Sequence, residues 1–405
     1  MLESTLNLYR ESYSGLRKEV WYLSIVLLIN RTGAMVLPFL TVYLTTQYQF
    51  TLLDAGFIVS SFGFGSVAGS YVGGWITDRY GFYNVQLWAL IIGGVLFWVV
   101  GQQESFWELS ISIFTLSVVV NGFRPANQTA LAYYSNPENR SRAYGLLRMA
   151  VNLGYSMGPF IGGILIVGLG YKWLFIVNGI SCLLAALAFR LLLPRGRQEE
   201  KEKMIRKEKE GLSAYANFPF IIFVFFLMLG AICFMQMFSS LPIYLKDKLF
   251  YTEQDIGLLM VVNGLLIAII EMPLIHKMGQ RFKSLPIIAW GFILMGISFG
   301  ALNAAGLGSI FVITYMVLLT FGEMLSMPFA STYTVAIAPE ERRGEYMGLL
   351  GIGWAVAFII APVLSLWWAE TYSFTSLFWF SASLGIISGV GIYSVYKFKE
   401  PTLTQ

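Results

Sequence analysis

Histidine occurs once and cysteine twice in 405 residues, and only 12 % of the chain is charged. Each scarcity closes a class of function. Cys182 and Cys233 both fall inside apolar runs, so they offer neither a disulfide framework nor metal-ligand spacing. His276 stands at the end of an apolar run; a loop residue and a proton relay are its two readings. No Ser/His/Asp set and no phosphate-cradling loop is visible, so the chain is expected not to be an enzyme and to need no cofactor or metal. The first 19 residues are mixed and charged and the apolar run that follows is full length, which argues against a cleavable signal peptide. A net charge of +4 invites an acidic partner, but the basic residues sit in the loops of one side, and no nucleic-acid partner is expected.

What the chain has is apolar sequence. Its 57 % hydrophobic content lies outside the range of soluble domains. A bilayer-spanning helix needs roughly 20 mainly apolar residues. Twelve such runs follow one another, at 20–46, 54–76, 85–102, 106–134, 142–168, 172–193, 218–245, 254–276, 284–302, 307–336, 344–369 and 374–396. The longest charged stretch, Pro194 to Gly211, has seven basic and five acidic residues and falls at mid-chain. It reads as a surface helix on the headgroups or as a solvated tether. The expected organisation is an N-terminal six-helix bundle (1–193), a linker (194–217) and a C-terminal six-helix bundle (218–405). That is the layout of a secondary transporter.

Lysine and arginine divide unevenly between the two ends of these runs. One end holds Arg10, Arg17, Lys18, Arg79, Arg140, Arg142, the linker, Lys277, Arg281, Lys283, Arg342, Arg343, Lys397 and Lys399. The other holds only Lys172, Lys246 and Lys248. The positive-inside rule makes the first end cytoplasmic, with both termini inside, in the cytoplasmic (inner) membrane.

The halves echo each other at an offset near 200. Asp78-Arg79-Tyr80-Gly81 matches His276-Lys277-Met278-Gly279 in place. Pro137-Glu138 and Tyr144-Gly145-Leu146-Leu147 match Pro339-Glu340 and Tyr346-Met347-Gly348-Leu349-Leu350. Pro159 matches Pro362. Four echoes in one order argue for duplicated halves, with a substrate site where they meet.

In the fifth run, Gly154, Gly158 and Gly162 recur every four residues and form one flat stripe, which lets another helix approach closely. Pro159 removes a backbone hydrogen bond beside it. An ordinary packing face is the plain reading. The full segment, Gly154-Tyr155-Ser156-Met157-Gly158-Pro159-Phe160-Ile161-Gly162-Gly163, resembles motif C, the antiporter signature of the major facilitator superfamily. Gly74-Trp75-Ile76-Thr77-Asp78-Arg79-Tyr80-Gly81 resembles that superfamily's motif A. Gly322-Glu323-Met324 and Ala338-Pro339-Glu340 through Gly348 resemble its bacterial drug:proton antiporter branch. The resemblance covers nearly the whole chain. It implies an all-α membrane protein of twelve transmembrane helices in two pseudo-symmetric bundles. It also implies gating roles for Asp78, Arg79, Gly154, Gly158 and Pro159, with Asp78 acting as a latch on the start of the eleventh helix near Arg343 and Gly344. The chain departs from motif A after Gly81, where Phe82 and Tyr83 replace the usual basic residues.

Ionisable residues inside membrane helices are costly and are functional candidates by default. Arg31, Arg124 and Arg148 stand in the first half, Glu271 and Glu323 in the second. Arginine stays protonated, so it cannot carry the transported proton. A carboxylate can, because burial disfavours its charged form. Glu323, at mid-run, is the first choice for proton coupling and Glu271 the second; a structural hydrogen bond is the other reading of each. Arg31, Arg124, Asn152, Tyr155, Gln236, Asn263 and Met327 are the candidate substrate contacts. For Arg31 and Arg124, a substrate anion and a partner carboxylate are both possible occupants. The expected function is export of small amphipathic molecules or drugs, driven by protons through alternating access, by a monomer embedded in lipid. Proton-coupled symport of peptides or other zwitterions is the alternative.

Overall fold

Pro38 and Pro242 mark the places where two of the twelve expected spans break. The computed structural model describes residues 15–136, 139–195, 211–339 and 342–399. Arg10, Pro137, Glu138, Glu340 and linker residues 196–210 lie outside the described residues, as do the side chains of Arg140 and Lys399. The described chain forms α1 (Lys18–Thr32), α2 (Val36–Gln47), α3 (Leu52–Tyr80), α4 (Phe82–Val100), α5 (Phe106–Tyr134), α6 (Arg140–Leu169) and α7 (Lys172–Leu192). It continues as α8 (Phe218–Met235), α9 (Ser240–Leu249), α10 (Glu253–Arg281), α11 (Ser284–Asn303), α12 (Ser309–Ile337), α13 (Arg343–Thr371) and α14 (Phe374–Lys399). Among the described residues, twelve segments are long and apolar enough to cross a membrane, within a few residues of the expected runs.

The first span is two helices. α1 stops after Thr32, and the backbone turns through Gly33, whose amide bonds the Arg31 carbonyl. A side chain at Gly33 would collide with Ser181 of α7, which itself donates to the Ile29 carbonyl at 2.6 Å. Pro38 is the third residue of α2, inside the first turn where its missing N–H costs nothing. The seventh span repeats the design. α8 ends at Met235, and the turn bonds Met237 N to Phe234 O at 3.1 Å and Phe238 N to Met235 O at 3.0 Å. Pro242 is the third residue of α9.

The described residues fall into two compact units. One comprises those of Met1–Leu37, Phe64–Glu200 and Glu253–Gly264; the other those of Pro38–Gly63, Lys201–Thr252 and Leu265–Gln405. Each therefore takes a short piece from the opposite half of the chain. In lipid, apolar burial drives helix association weakly and small residues let backbones meet. In the first unit, side chains at Gly65, Gly69 and Gly73 of α3 would run into the α5 backbone at Phe114, Val118 and Gly122. Its core gathers Leu23, Leu27, Phe82, Phe123, Tyr134 and Phe189. The start of α10 joins α6, where a Cβ at Gly257 would lie 2.5 Å from the Pro159 carbonyl oxygen. In the second unit, Gly291 of α11 and Gly322 of α12 face each other's backbone, and Gly385 of α14 abuts Gly296. The start of α3 runs along α13: Ser60 Oγ donates to the Ile359 carbonyl at 2.6 Å, and Leu53 N donates to Glu370 Oε2 at 2.9 Å.

His276 is in neither a loop nor a turn. It lies in the last turns of α10, exposed, 3.0 Å from Gln280 Nε2. The α-helical register continues through Arg281, past Gly279, with no proline after Pro273 to stop it.

Candidate functional site

In the first unit the structure brings Arg31, Arg124 and Tyr155 together from three helices. Arg31 is the penultimate residue of α1, just before the break. Its Nη1 donates to Tyr155 Oη at 2.9 Å, and its guanidinium carbon lies 5.2 Å from the Tyr155 ring centroid, within cation–π range. Its Nε is buried with no partner. Arg124, in α5 immediately before Pro125, has Arg31 and Tyr155 as its electrostatic neighbours. Tyr155 is 42 % exposed, and Arg124 is exposed as well. Among the described residues, neither guanidinium is paired with a carboxylate. Of the two occupants open to Arg31 and Arg124, the described residues supply no paired carboxylate.

The glycine stripe sets this cluster. A Cβ at Gly154 would lie 2.5 Å from Arg31 Cβ and 3.0 Å from Thr32 N, and one at Gly158 would lie 3.2 Å from the Ala34 and Thr32 carbonyl oxygens. α6 thus presses against α1 at its break, with Arg31 at the contact. Pro159 is buried beside it and faces Gly257 of α10. Asn152 is half-buried on α6, three residues before Tyr155. Asn263 is 9 % exposed on α10; its neighbour Gly264 packs directly on Ser156. Asp78 and Arg79 lie in the last turn of α3, both exposed. The Arg79 guanidinium lies 5.7 Å from the Trp75 ring and 5.7 Å from the Tyr80 ring of its own helix.

Gln236, Glu271, Glu323 and Met327 belong to the second unit. Glu271 is 6 % exposed within α10, two residues before Pro273. Glu323 stands at the middle of α12, half-buried, next to Gly322 where α12 meets α11. Met327 follows one turn later, also half-buried. Gln236 departs from its expected place among the substrate contacts. It is 1 % exposed; its Nε2 donates to Ile232 O at 3.2 Å and its Oε1 accepts from Ser240 Oγ at 2.6 Å. Its two amide atoms thus bridge the α8–α9 break, one bond to each helix.

Sequence reading missed the two breaks and the residues that close the ends of α10 and α13. The Tyr171 hydroxyl donates to Glu253 at the start of α10, and Glu370 near the end of α13 takes the Leu53 amide. The breaks had a signal in Leu37-Pro38 and Leu241-Pro242, the same pair at the same place in each half.

A family model described as the Major Facilitator Superfamily matches residues 23–302 and 238–405. A Na(+), Li(+), K(+)/H(+) antiporter of Planococcus maritimus is 25 % identical over 401 residues, covering 89 % of this chain and 91 % of its own. The quinolone resistance protein NorA of Staphylococcus aureus is 25 % identical over 355 residues, covering 85 % of this chain and 88 % of its own. Among solved structures, a POT peptide transporter superposes with a TM-score of 0.79 at 16 % identity, covering 95 % of each chain. The nucleoside transporter NupG superposes with a TM-score of 0.79 at 15 % identity, covering 93 % of this chain and 99 % of its own. Twelve membrane-length helices, a match along nearly the full chain and transporter relatives in sequence lead to one conclusion: the protein belongs to the Major Facilitator Superfamily and is a multi-pass membrane transporter of small molecules.

Proposed function

We propose that the chain is a proton-coupled secondary transporter that exports small amphipathic molecules, as drug:proton antiporters do. It works as a monomer in the cytoplasmic (inner) membrane, with both termini and the basic helix ends on the cytoplasmic side. Its energy source is the proton gradient, with no cofactor. The observation that carries the coupling is the carboxylate of Glu323 at the middle of a membrane-length helix. A carboxylate there is a group that can take up and release a proton, which the arginines of the first unit are not. Glu271 is more deeply buried and is the second candidate. The relatives support export in combination: one is a cation/H(+) antiporter and one confers quinolone resistance. Arg31, Arg124, Asn152, Tyr155, Asn263 and Met327 contribute to substrate binding. Asp78 and Arg79 latch the cycle at the basic end, and the Gly154, Gly158 and Pro159 segment of α6 moves with it.

Proteoliposomes test this reading with a panel of aromatic drugs, dipeptides and lipids, each with and without a pH gradient. Drug flux driven by the gradient in wild type, and lost in Glu323→Gln with normal folding, is the expected result. Unchanged gradient-driven flux in the variant removes Glu323 from coupling; flux indifferent to pH removes proton coupling altogether. Symport of zwitterions is the second reading, favoured by the clustered arginines of one unit and the acids of the other. Movement of dipeptides with the proton, in the same assay, selects it.

A further inference from the structure

We propose that the Arg31–Tyr155–Arg124 cluster is an oxyanion subsite, and that the molecules this transporter carries bear a carboxylate on an apolar, aromatic body. The inference rests on the transport reading above and names the substrate class of that site.

Every polar group the cluster offers is a donor. Two guanidinium groups are electrostatic neighbours with no carboxylate paired to either among the described residues. Like charges brought together repel, and an anion between them relieves that repulsion. Arg31 Nε is buried and without a partner, although the rest of that guanidinium is held in place. The Tyr155 hydroxyl accepts from Arg31 Nη1, so its own proton is left to donate. A set of donors with no acceptor fits an anion and disfavours an ammonium group. Carboxylate geometry suits it, because a guanidinium fork and a second donor can each take one oxygen. The Tyr155 ring, 42 % exposed and already stacked on one side by Arg31, offers an aromatic face beside the charge.

The site is also built to hold its shape. Gly154 brings α6 against the Cβ of Arg31, and the break after Thr32 ends α1 there.

Equilibrium binding to the purified full chain in detergent, with no gradient present, tests the inference apart from transport. The probes are 2-naphthoate, its uncharged amide 2-naphthamide, and the cation 2-naphthylmethylammonium. Wild type should bind naphthoate saturably and about tenfold or more tighter than either other probe. Arg124→Gln and Arg31→Gln should each weaken naphthoate by about tenfold or more while leaving naphthamide unchanged. Arg124→Lys and Tyr155→Phe, which keep the fold-bearing parts of each side chain, should give intermediate losses for naphthoate alone. Absence of saturable naphthoate binding, equal binding of the three probes, or naphthoate affinity unchanged in both Arg124 variants overturns the proposal. Because these readouts use no pH gradient, a failure of proton coupling leaves them intact and is seen only in flux.

Discussion

Gln236 and Tyr155 are both polar residues in apolar spans, yet their neighbours give them opposite uses. Tyr155 reaches across to Arg31, 124 positions away in sequence. Gln236 turns back on its own chain and bonds residues four before and four after it. Composition marked both as candidates, but only the fold shows which one points into an accessible space, because pairing over such separations leaves no local pattern. Gln236→Ala should strip the break of two buried hydrogen bonds and lower stability by about 1–3 kcal/mol. Thermal unfolding of the purified chain measures that, and ligand affinity should stay as in wild type. A loss of affinity with unchanged melting would instead make Gln236 a ligand contact. Glu323 poses the opposite case, since its position at mid-helix is visible in sequence while its effect depends on the cycle. Binding and protonation are linked reciprocally, so a coupling acid makes substrate affinity depend on pH. Glu323→Gln should flatten that dependence while the melting temperature holds. A pH dependence identical to wild type would shift the coupling role to Glu271.

At the scale of helices, hydropathy located all twelve spans because length and apolarity are local properties. It passed over both breaks, since a turn of three or four residues hardly changes the mean of a long window. The glycine stripe was legible as a stripe; its partner was not. α1 proves to be that partner, and the contact is too close for any side chain at Gly154. The same logic governs two seams that repeat at an offset of 201. Gly56 and Gly63 of α3 meet α13 around Pro362 and Ile359, while Gly257 and Gly264 of α10 meet α6 around Pro159 and Ser156. Paired glycines seven apart present the same helix face after two turns, so each seam is a flat contact about two turns long. Gly158→Leu should wedge α6 from α1, with an overpacking cost of about 1–3 kcal/mol. Since Arg31 sits on that contact, naphthoate affinity should fall together with flux. Normal flux at normal expression would mean that α1 and α6 need not approach, and would leave the stripe without a mechanical role. Gly63→Ala is a gentler probe of a seam: its Cβ would lie 3.1 Å from the Ile359 backbone, so α13 must shift for it to fit. Flux should drop while binding holds.

Over the whole molecule, the order of runs and the mid-chain charge predict two halves that divide at the linker. The compact units share most of that division but exchange short pieces, Pro38–Gly63 in one direction and Glu253–Gly264 in the other. Glycine contacts decide those exchanges, and an average over polarity does not register them. Charge follows the units: the Arg31 cluster lies in one, Glu271 and Glu323 in the other. Alternating access needs elements that bias the cycle without touching substrate. Asp78 fits that description. It sits in the last turn of α3, exposed, three residues before Gly81, whose φ of +80 ends the helix and lets α4 begin at once. A carboxylate at such a position can stabilise one state by meeting a helix N-terminus or a basic group, worth about 0.3–1 kcal/mol at an exposed site. A preference of that size changes the rates of interconversion by a few-fold while leaving the binding site alone. Asp78→Asn should therefore slow flux several-fold with naphthoate affinity and melting temperature both near wild type. Arg79 stacks on Trp75 and Tyr80 of its own helix, so Arg79→Gln should have the smaller effect. If Asp78→Asn instead weakens binding sharply while flux at saturation is kept, the residue acts on substrate and the latch must be sought elsewhere in the basic end.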